Sequence, residues 1–244
     1  MRQGVVWDDV FALRADLYLP AQATPRSAAV IMFHGGGWAA GRREEMAWFG
    51  NLFARAGLVA ISADYRLIDG ASVFAEDQIR DVRFALTAAI ANAAALGIDP
   101  ARVGVLGGSA GGHLAAMLAT DGDLPVRSAA ILWGPTDLTT PLSALSSDGA
   151  NILRRYLTSA RSSAAALSPA LRIDRPGACR RWLLIHGQRD ELVPASQSRS
   201  MHARLRGIGA RSEYLELPGE AHFPEDPAKQ ELAARALVAF FGQL

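Results

Sequence analysis

Residues 103–115 read Val-Gly-Val-Leu-Gly-Gly-Ser-Ala-Gly-Gly-His-Leu-Ala. An apolar run, Val103–Gly107, enters a cluster of small residues, and a helical pattern, Ala110 to Thr120, leaves it. Gly107, Ser109 and Gly111 make G-x-S-x-G between a strand and a helix. A turn that sharp leaves no room for side chains at its flanks, and glycine meets the demand. Ser109 then sits in a strained turn with its hydroxyl raised above the sheet. The N–H of Ala110 opens the helix beside it. The plainer reading is a phosphate loop or an ordinary strand–helix turn. The strand before and the helix after favour a serine nucleophile.

Working outward, short apolar runs alternate with helical stretches. The runs are Ala28–Phe33, Leu58–Ala63, Val103–Gly107, Ala129–Trp133 and Trp182–Ile185. Each is almost continuously apolar, as a strand buried on both faces must be. From Phe74 to Leu96, Ile79, Val82, Leu86 and Ile90 recur at helical spacing, and Gly97 stops the pattern. Pro227 to Phe241 also reads as a helix. Alternation of this kind predicts an α/β fold with a mostly parallel central sheet and helices on both faces. The first twenty residues alternate differently and predict two antiparallel strands on one edge. Segment 135–181 is too long for an ordinary connection, and it is rich in Pro, Ser and Ala. It reads as a short cap-like insertion over the sheet, within a single domain covering 1–244.

Composition narrows the classes. The chain has 244 residues, half of them hydrophobic, which supports one sizeable core and excludes a disordered chain. The net charge of +1 supplies no field to draw nucleic acid or an anionic membrane. Basic residues are 24 Arg and one Lys, beside 46 Ala, a pattern of genome composition and not of a binding surface. Cys179 is the one cysteine, so no disulfide forms within the chain and no cysteine-rich zinc site exists. The charged N-terminus lacks the apolar core of a signal peptide, and no apolar run spans a membrane. A cytoplasmic location is expected. A dinucleotide-binding reading fails because Gly104, Gly107 and Gly111 have the wrong spacing and come too late in the chain.

A second motif, His34-Gly35-Gly36-Gly37-Trp38, follows the first apolar run of the sheet. Consecutive glycines after a strand offer backbone N–H groups to a developing oxyanion. Trp38, beside them, is expected to wall the substrate pocket. A serine nucleophile needs a base, and the base needs an acid. Of the five histidines, His34 belongs to the glycine loop and His113 lies on the helix that Ser109 opens, pointing away from the hydroxyl. His186 ends a strand, and His202 lies mid-helix. His222 alone is downstream and in a strand–helix loop. For the acid, Asp190 follows Trp182–Ile185, and its rival Asp137 follows the previous strand. Asp190 is favoured because Glu-Leu-Val-Pro leads from it into a helix; Asp137 also reads as a turn or helix cap.

With these motifs the chain resembles the HGGGW-type esterases of the α/β-hydrolase fold, both hormone-sensitive-lipase-like and small carbohydrate-esterase-like. The resemblance rests on Asp-Leu-Tyr-Leu-Pro at 16–20, His-Gly-Gly-Gly-Trp at 34–38, Asp-Tyr-Arg-Leu at 64–67, Gly-Ile-Asp-Pro-Ala-Arg-Val at 97–103, Ser-Ala-Gly-Gly-His-Leu-Ala at 109–115 and Leu-Ile-His-Gly-Gln-Arg-Asp at 184–190. It implies Ser109, Asp190 and His222 as catalytic residues. It also implies an oxyanion hole from the backbone of Gly36, Gly37 and Ala110, with neither metal nor cofactor. Two features depart from the hormone-sensitive-lipase branch: only 33 residues precede the glycine loop, and Gly108 stands where Asp is common. The compact layout is also similar to feruloyl-esterase-like proteins and kynurenine formamidases. The expected activity is a serine carboxylesterase acting on small, short-acyl esters; formamide hydrolysis, or acetyl or feruloyl carbohydrate esterase activity, is the alternative. The sequence is silent on oligomeric state.

Overall fold

The computed structural model describes residues 2–8, 11–21, 26–175 and 178–244. They form an eight-stranded sheet in the order β1-β2-β4-β3-β5-β6-β7-β8. The strands are β1 (Arg2–Asp8), β2 (Leu13–Tyr18), β3 (Ser27–Phe33), β4 (Val59–Ala63), β5 (Ile98–Gly108), β6 (Ser128–Leu132), β7 (Arg181–Gly187) and β8 (Arg211–Leu217). β1 and β2 run antiparallel at one edge, and every pairing from β4 to β8 is parallel. The helices are α1 (Ala47–Arg55), α2 (Ala75–Ala91), α3 (Ala93–Leu96), α4 (Ala110–Ala119), α5 (Ser147–Thr158), α6 (Ser196–Gly207) and α7 (Pro227–Phe241).

Period-two geometry explains why the apolar runs carry no polar alternation. On one face of the sheet, Ile31, Phe33, Val105, Ile131, Trp182 and Leu184 pack with residues of α2, α4 and α6. On the other, Val30, Met32, Leu106, Leu132, Leu183 and Ile185 pack with Phe53 of α1 and with Leu237, Phe240 and Phe241 of α7. Both faces are core, so both parities must be apolar.

Two readings of the sequence need correction, and one helix was not read at all. The single helix expected over Phe74–Leu96 is broken at Asn92, whose side-chain amide turns back to the Ala88 carbonyl at 2.9 Å. β5 begins at Ile98, five residues earlier than the apolar run suggests, because Asp99, Pro100 and Arg102 interrupt the apolar pattern in its half-exposed and exposed opening. The helix α1 was hidden by its alternation of small, polar and aromatic residues. Ile152–Leu157, within segment 135–181, form the second half of α5, in the connection from β6 to β7. Residues 176 and 177 of segment 135–181, and residues 1, 9 and 10 of the first twenty, lie outside the described residues.

The strand order positions a site. β3 leads through α1 to β4 on one side, whereas β5 leads through α4 to β6 on the other. The loops after β3 and β5 therefore leave in opposite directions and open a crevice at the carboxyl ends of adjacent strands. The glycine loop and Ser109 stand on the two sides of that crevice. Among the described residues, no helix is long and apolar enough to cross a membrane.

Candidate active site

Ser109 joins β5 to α4 with φ 53° and ψ −120°, a left-handed conformation that an L-residue holds only under constraint. The neighbouring glycines supply it. A Cβ on Gly107 would stand 2.1 Å from the Gly111 carbonyl oxygen, and one on Gly111 would stand 2.2 Å from that of Phe33. The Ser109 amide donates to the Leu132 carbonyl at 2.9 Å, tying the turn to β6.

His222 lies in the loop between β8 and α7, beside Ser109. Its Nε2 is 2.9 Å from the Ser109 Oγ, and its Nδ1 is 2.7 Å from the Asp190 Oδ2. Asp190 sits just beyond β7, and its Oδ1 accepts the amides of Leu192 and Val193, each at 2.9 Å. The structure thus brings together the three residues that the chain order singled out. Asp137 lines the cavity beside Ser109, but its carboxylate accepts the Thr139 amide and hydroxyl at 3.0 and 2.5 Å, a local turn cap, and it is Asp190 that bonds His222.

Sequence reasoning passed over His186 as the end of a strand. Its Nε2 lies 2.8 Å from the Val193 carbonyl and 3.1 Å from Asp190 Oδ2. A carbonyl only accepts, so Nε2 carries the proton and Nδ1 accepts the Ser198 hydroxyl at 2.8 Å. The spacing His186–Asp190 was the available signal. Burial alone would raise the Asp190 carboxyl. The hydrogen bonds from His186 and His222, the His222 charge and the Val193 amide outweigh it and bring the group down to about 2.

In the glycine loop, five successive carbonyls each meet a donor. Those of His34 and Gly35 accept the buried Tyr65 hydroxyl at 2.8 and 3.3 Å. That of Gly36 accepts the amides of Ala39 and Ala40. Arg155 reaches the Gly37 carbonyl at 3.1 Å, and the Gln78 side chain reaches that of Trp38 at 2.7 Å. Every peptide plane from 34 to 38 is held from its carbonyl side, which also fixes its N–H direction. Gly36 has φ 110°, and a Cβ there would strike the Ala40 carbonyl. A Cβ on Gly35 would come 3.4 Å from the Ser109 Cβ, so the loop and the Ser109 turn lie against each other. Behind the loop, Gln78 also donates to the Arg66 carbonyl, and Arg66 grips Asp81 through two nitrogens at 2.6 and 2.8 Å.

A cavity of about 50 Å³ opens beside Ser109, walled by Gly37, Trp38, Leu138, Ile152, Leu153 and Val193 among others. Trp38 is fixed on two sides. It stacks on Tyr156 of α5 with ring centroids 4.1 Å apart, and its indole N–H donates to His113 Nδ1 at 3.3 Å. His113 Nε2 donates in turn to the Leu167 carbonyl at 2.8 Å. His113 therefore faces the aromatic cluster and not the Ser109 hydroxyl. Cys179 is buried elsewhere, and burial pushes its thiol up to about 11. Among the described residues, no three His, Cys, Asp or Glu side chains are grouped to hold a metal.

The His113 pairing makes a pH prediction. Burial pushes its imidazole down to about 4, below the ordinary 6.5. The unfolded chain therefore takes up the proton first as pH falls. The contribution to stability is complete above the unfolded value and is lost as pH drops toward 4, by up to about 3 kcal/mol. Urea unfolding across that window should show the loss in the wild type, and His113→Gln should flatten it. An equal slope in the variant would remove His113 as the cause.

Comparison with known proteins follows the same lines. The BD-FAE family model matches residues 15–205. Esterase LipC of Mycobacterium tuberculosis is 30% identical over 100% of this chain and 65% of its own length. Isoprenylcysteine alpha-carbonyl methylesterase ICME of Arabidopsis thaliana is 24% identical over 94% of this chain and 58% of its own. The chain spans between about half and two thirds of the curated relatives it matches first. Among solved structures, a thermophilic esterase from Thermogutta terrifontis with propionate bound superposes with a TM-score of 0.79 at 29% identity, covering 96% of this chain and 92% of that one. The fold is the α/β-hydrolase fold, and the chain belongs to the BD-FAE family.

Proposed function

We propose that the protein is a serine carboxylesterase that cleaves short-acyl esters of small molecules through an acyl-enzyme. The observation that carries the reading is the hydrogen-bonded chain from Ser109 Oγ through His222 to Asp190. His222 takes the Ser109 proton as Oγ attacks the ester carbonyl. The resulting oxyanion is held by the amides of Gly36, Gly37 and Ala110. His222 then passes its proton to the leaving alcohol oxygen, and the acyl group remains on Ser109. Water, deprotonated by His222, attacks that acyl-enzyme; release of the acid returns the proton to Ser109. Throughout, Asp190 stays ionised, which keeps the imidazole in one tautomer and stabilises the imidazolium. The connection from β6 to β7 acts as a short cap on the same domain, with Ile152 and Leu153 of α5 closing the acyl cavity.

Two lines support a short acyl group. The cavity of about 50 Å³ has room for only a few water-sized groups. The similarity to an esterase with propionate bound points the same way.

Asparagine substitutions separate the two aspartates. Asp190→Asn should cost roughly 10⁴-fold in kcat on p-nitrophenyl butyrate, because the imidazole is then held in the wrong tautomer. Asp137→Asn should keep most of the activity. Reversed effects would transfer the acid role to Asp137 and leave Ser109 and His222 in place.

Acyl length tests the cavity. Each methylene contributes about 0.8 kcal/mol only where apolar surface receives it. kcat/KM should peak between acetyl and hexanoyl esters and fall steeply beyond octanoyl. Palmitoyl esters cleaved as well as butyryl esters would contradict the small acyl cavity.

A further inference from the structure

A second apolar groove, of about 300 Å³, runs between α1 and α7. Trp48, Phe49, Trp133, Phe223 and Leu237 line it. Trp48 and Phe223 are 49% and 61% exposed, an unusual cost in open water for two large rings lining one groove. Trp133 is buried and holds φ 42°, backbone strain of the kind that gathers at working sites.

The groove adjoins the catalytic pair. Phe223 packs edge-on to the His222 ring at 4.8 Å, and Trp133 lies edge-on to Phe223 at 5.9 Å and to His222 at 6.4 Å. A Cβ on Gly108 would stand 3.4 Å from the Trp133 indole nitrogen, so the same ring also lies against the residue before Ser109. The groove and the acyl cavity draw on opposite faces of the sheet. Trp133, Leu132 and Leu237 belong to the core layer of α1 and α7, whereas Trp38, Leu138 and Leu153 belong to the other.

An ester has two arms. Its carbonyl oxygen must meet the glycine loop, and Gly37 and Trp38 of that loop wall the small cavity. Its leaving oxygen must take a proton from His222. The alcohol arm therefore departs past His222, on the side of Phe223 and Trp133.

We propose that this groove is the alcohol subsite and that it takes flat, apolar alcohols bearing an aromatic ring. The assignment rests on the esterase reading above. The rings of Trp48, Trp133 and Phe223 offer edge and face contacts to a planar guest. The protein is then asymmetric in its tolerance: restrictive toward the acyl arm and generous toward an aromatic alcohol.

The isomers benzyl acetate and methyl phenylacetate test it. They carry the ring on opposite sides of the ester, and their alcohols leave with similar acidity. The wild type should prefer benzyl acetate in kcat/KM, and Trp48→Ala and Phe223→Ala should each lower that preference by about tenfold. Benzyl alcohol should inhibit competitively, with a higher inhibition constant in both variants. A preference unchanged in both variants, or a selective loss on methyl phenylacetate, would overturn the assignment. Should the wild type cleave neither isomer nor p-nitrophenyl butyrate, the esterase reading fails by itself. The change in tryptophan fluorescence on adding benzyl alcohol, taken as wild type minus Trp48→Phe, then still tests the groove: a saturable difference that weakens in Phe223→Ala supports it, and no saturable difference refutes it.

Discussion

Ser109 holds a left-handed backbone conformation between a buried strand and a helix, at a cost of about 1–3 kcal/mol that the surrounding packing must offset. Much of the local structure serves that turn. Gly107 and Gly111 have no side chains because the turn brings carbonyls into the space a Cβ would fill. β6 receives the Ser109 amide, and β3 lies close enough for its terminal carbonyls to touch Gly111. The reversal of strand order between β3 and β5 leaves the space above the turn open. Without that reversal, the connection from β3 would cross the crevice it now borders.

Charge is handled with the same economy. Asp190 is fully buried at its side chain, where an unpaired carboxylate would be strongly disfavoured. Two imidazoles and two backbone amides surround it, and the carboxylate stays ionised. His186 shares one carboxylate oxygen with His222 and is anchored by Ser198 on its far side. The orientation of the His222 imidazole thus depends on β7, on the opening of α6 and on the loop after β8 together. The glycine loop depends comparably on distant side chains, since Tyr65 and Gln78 hold its carbonyls from 30 and 40 residues away.

What could be read from sequence divides along that line. The turn at Ser109 and the glycine loop were legible because their glycines answer local steric demands. The pairing of Ser109 with His222 and Asp190 was legible through chain order, as each follows a strand whose neighbours are set by the apolar pattern. His186 was not legible, because its role appears only when the chain after β7 folds back and brings Val193 and Ser198 to the same ring. Trp133 and Phe223 looked like ordinary apolar residues, since nothing local says that α1 and α7 leave a gap between them. The break at Asn92 was hidden for the opposite reason: its cause is local, but alanine on both sides masks it.

The central claim is that Ser109 is a nucleophile activated by His222. Covalent labelling by a fluorophosphonate, read by peptide mass spectrometry, tests it most directly. The account predicts a single adduct on the peptide containing Ser109, with ester hydrolysis lost in step with labelling. Ester hydrolysis that persists while Ser109 stays unlabelled, or an adduct on another residue that abolishes activity, would contradict it.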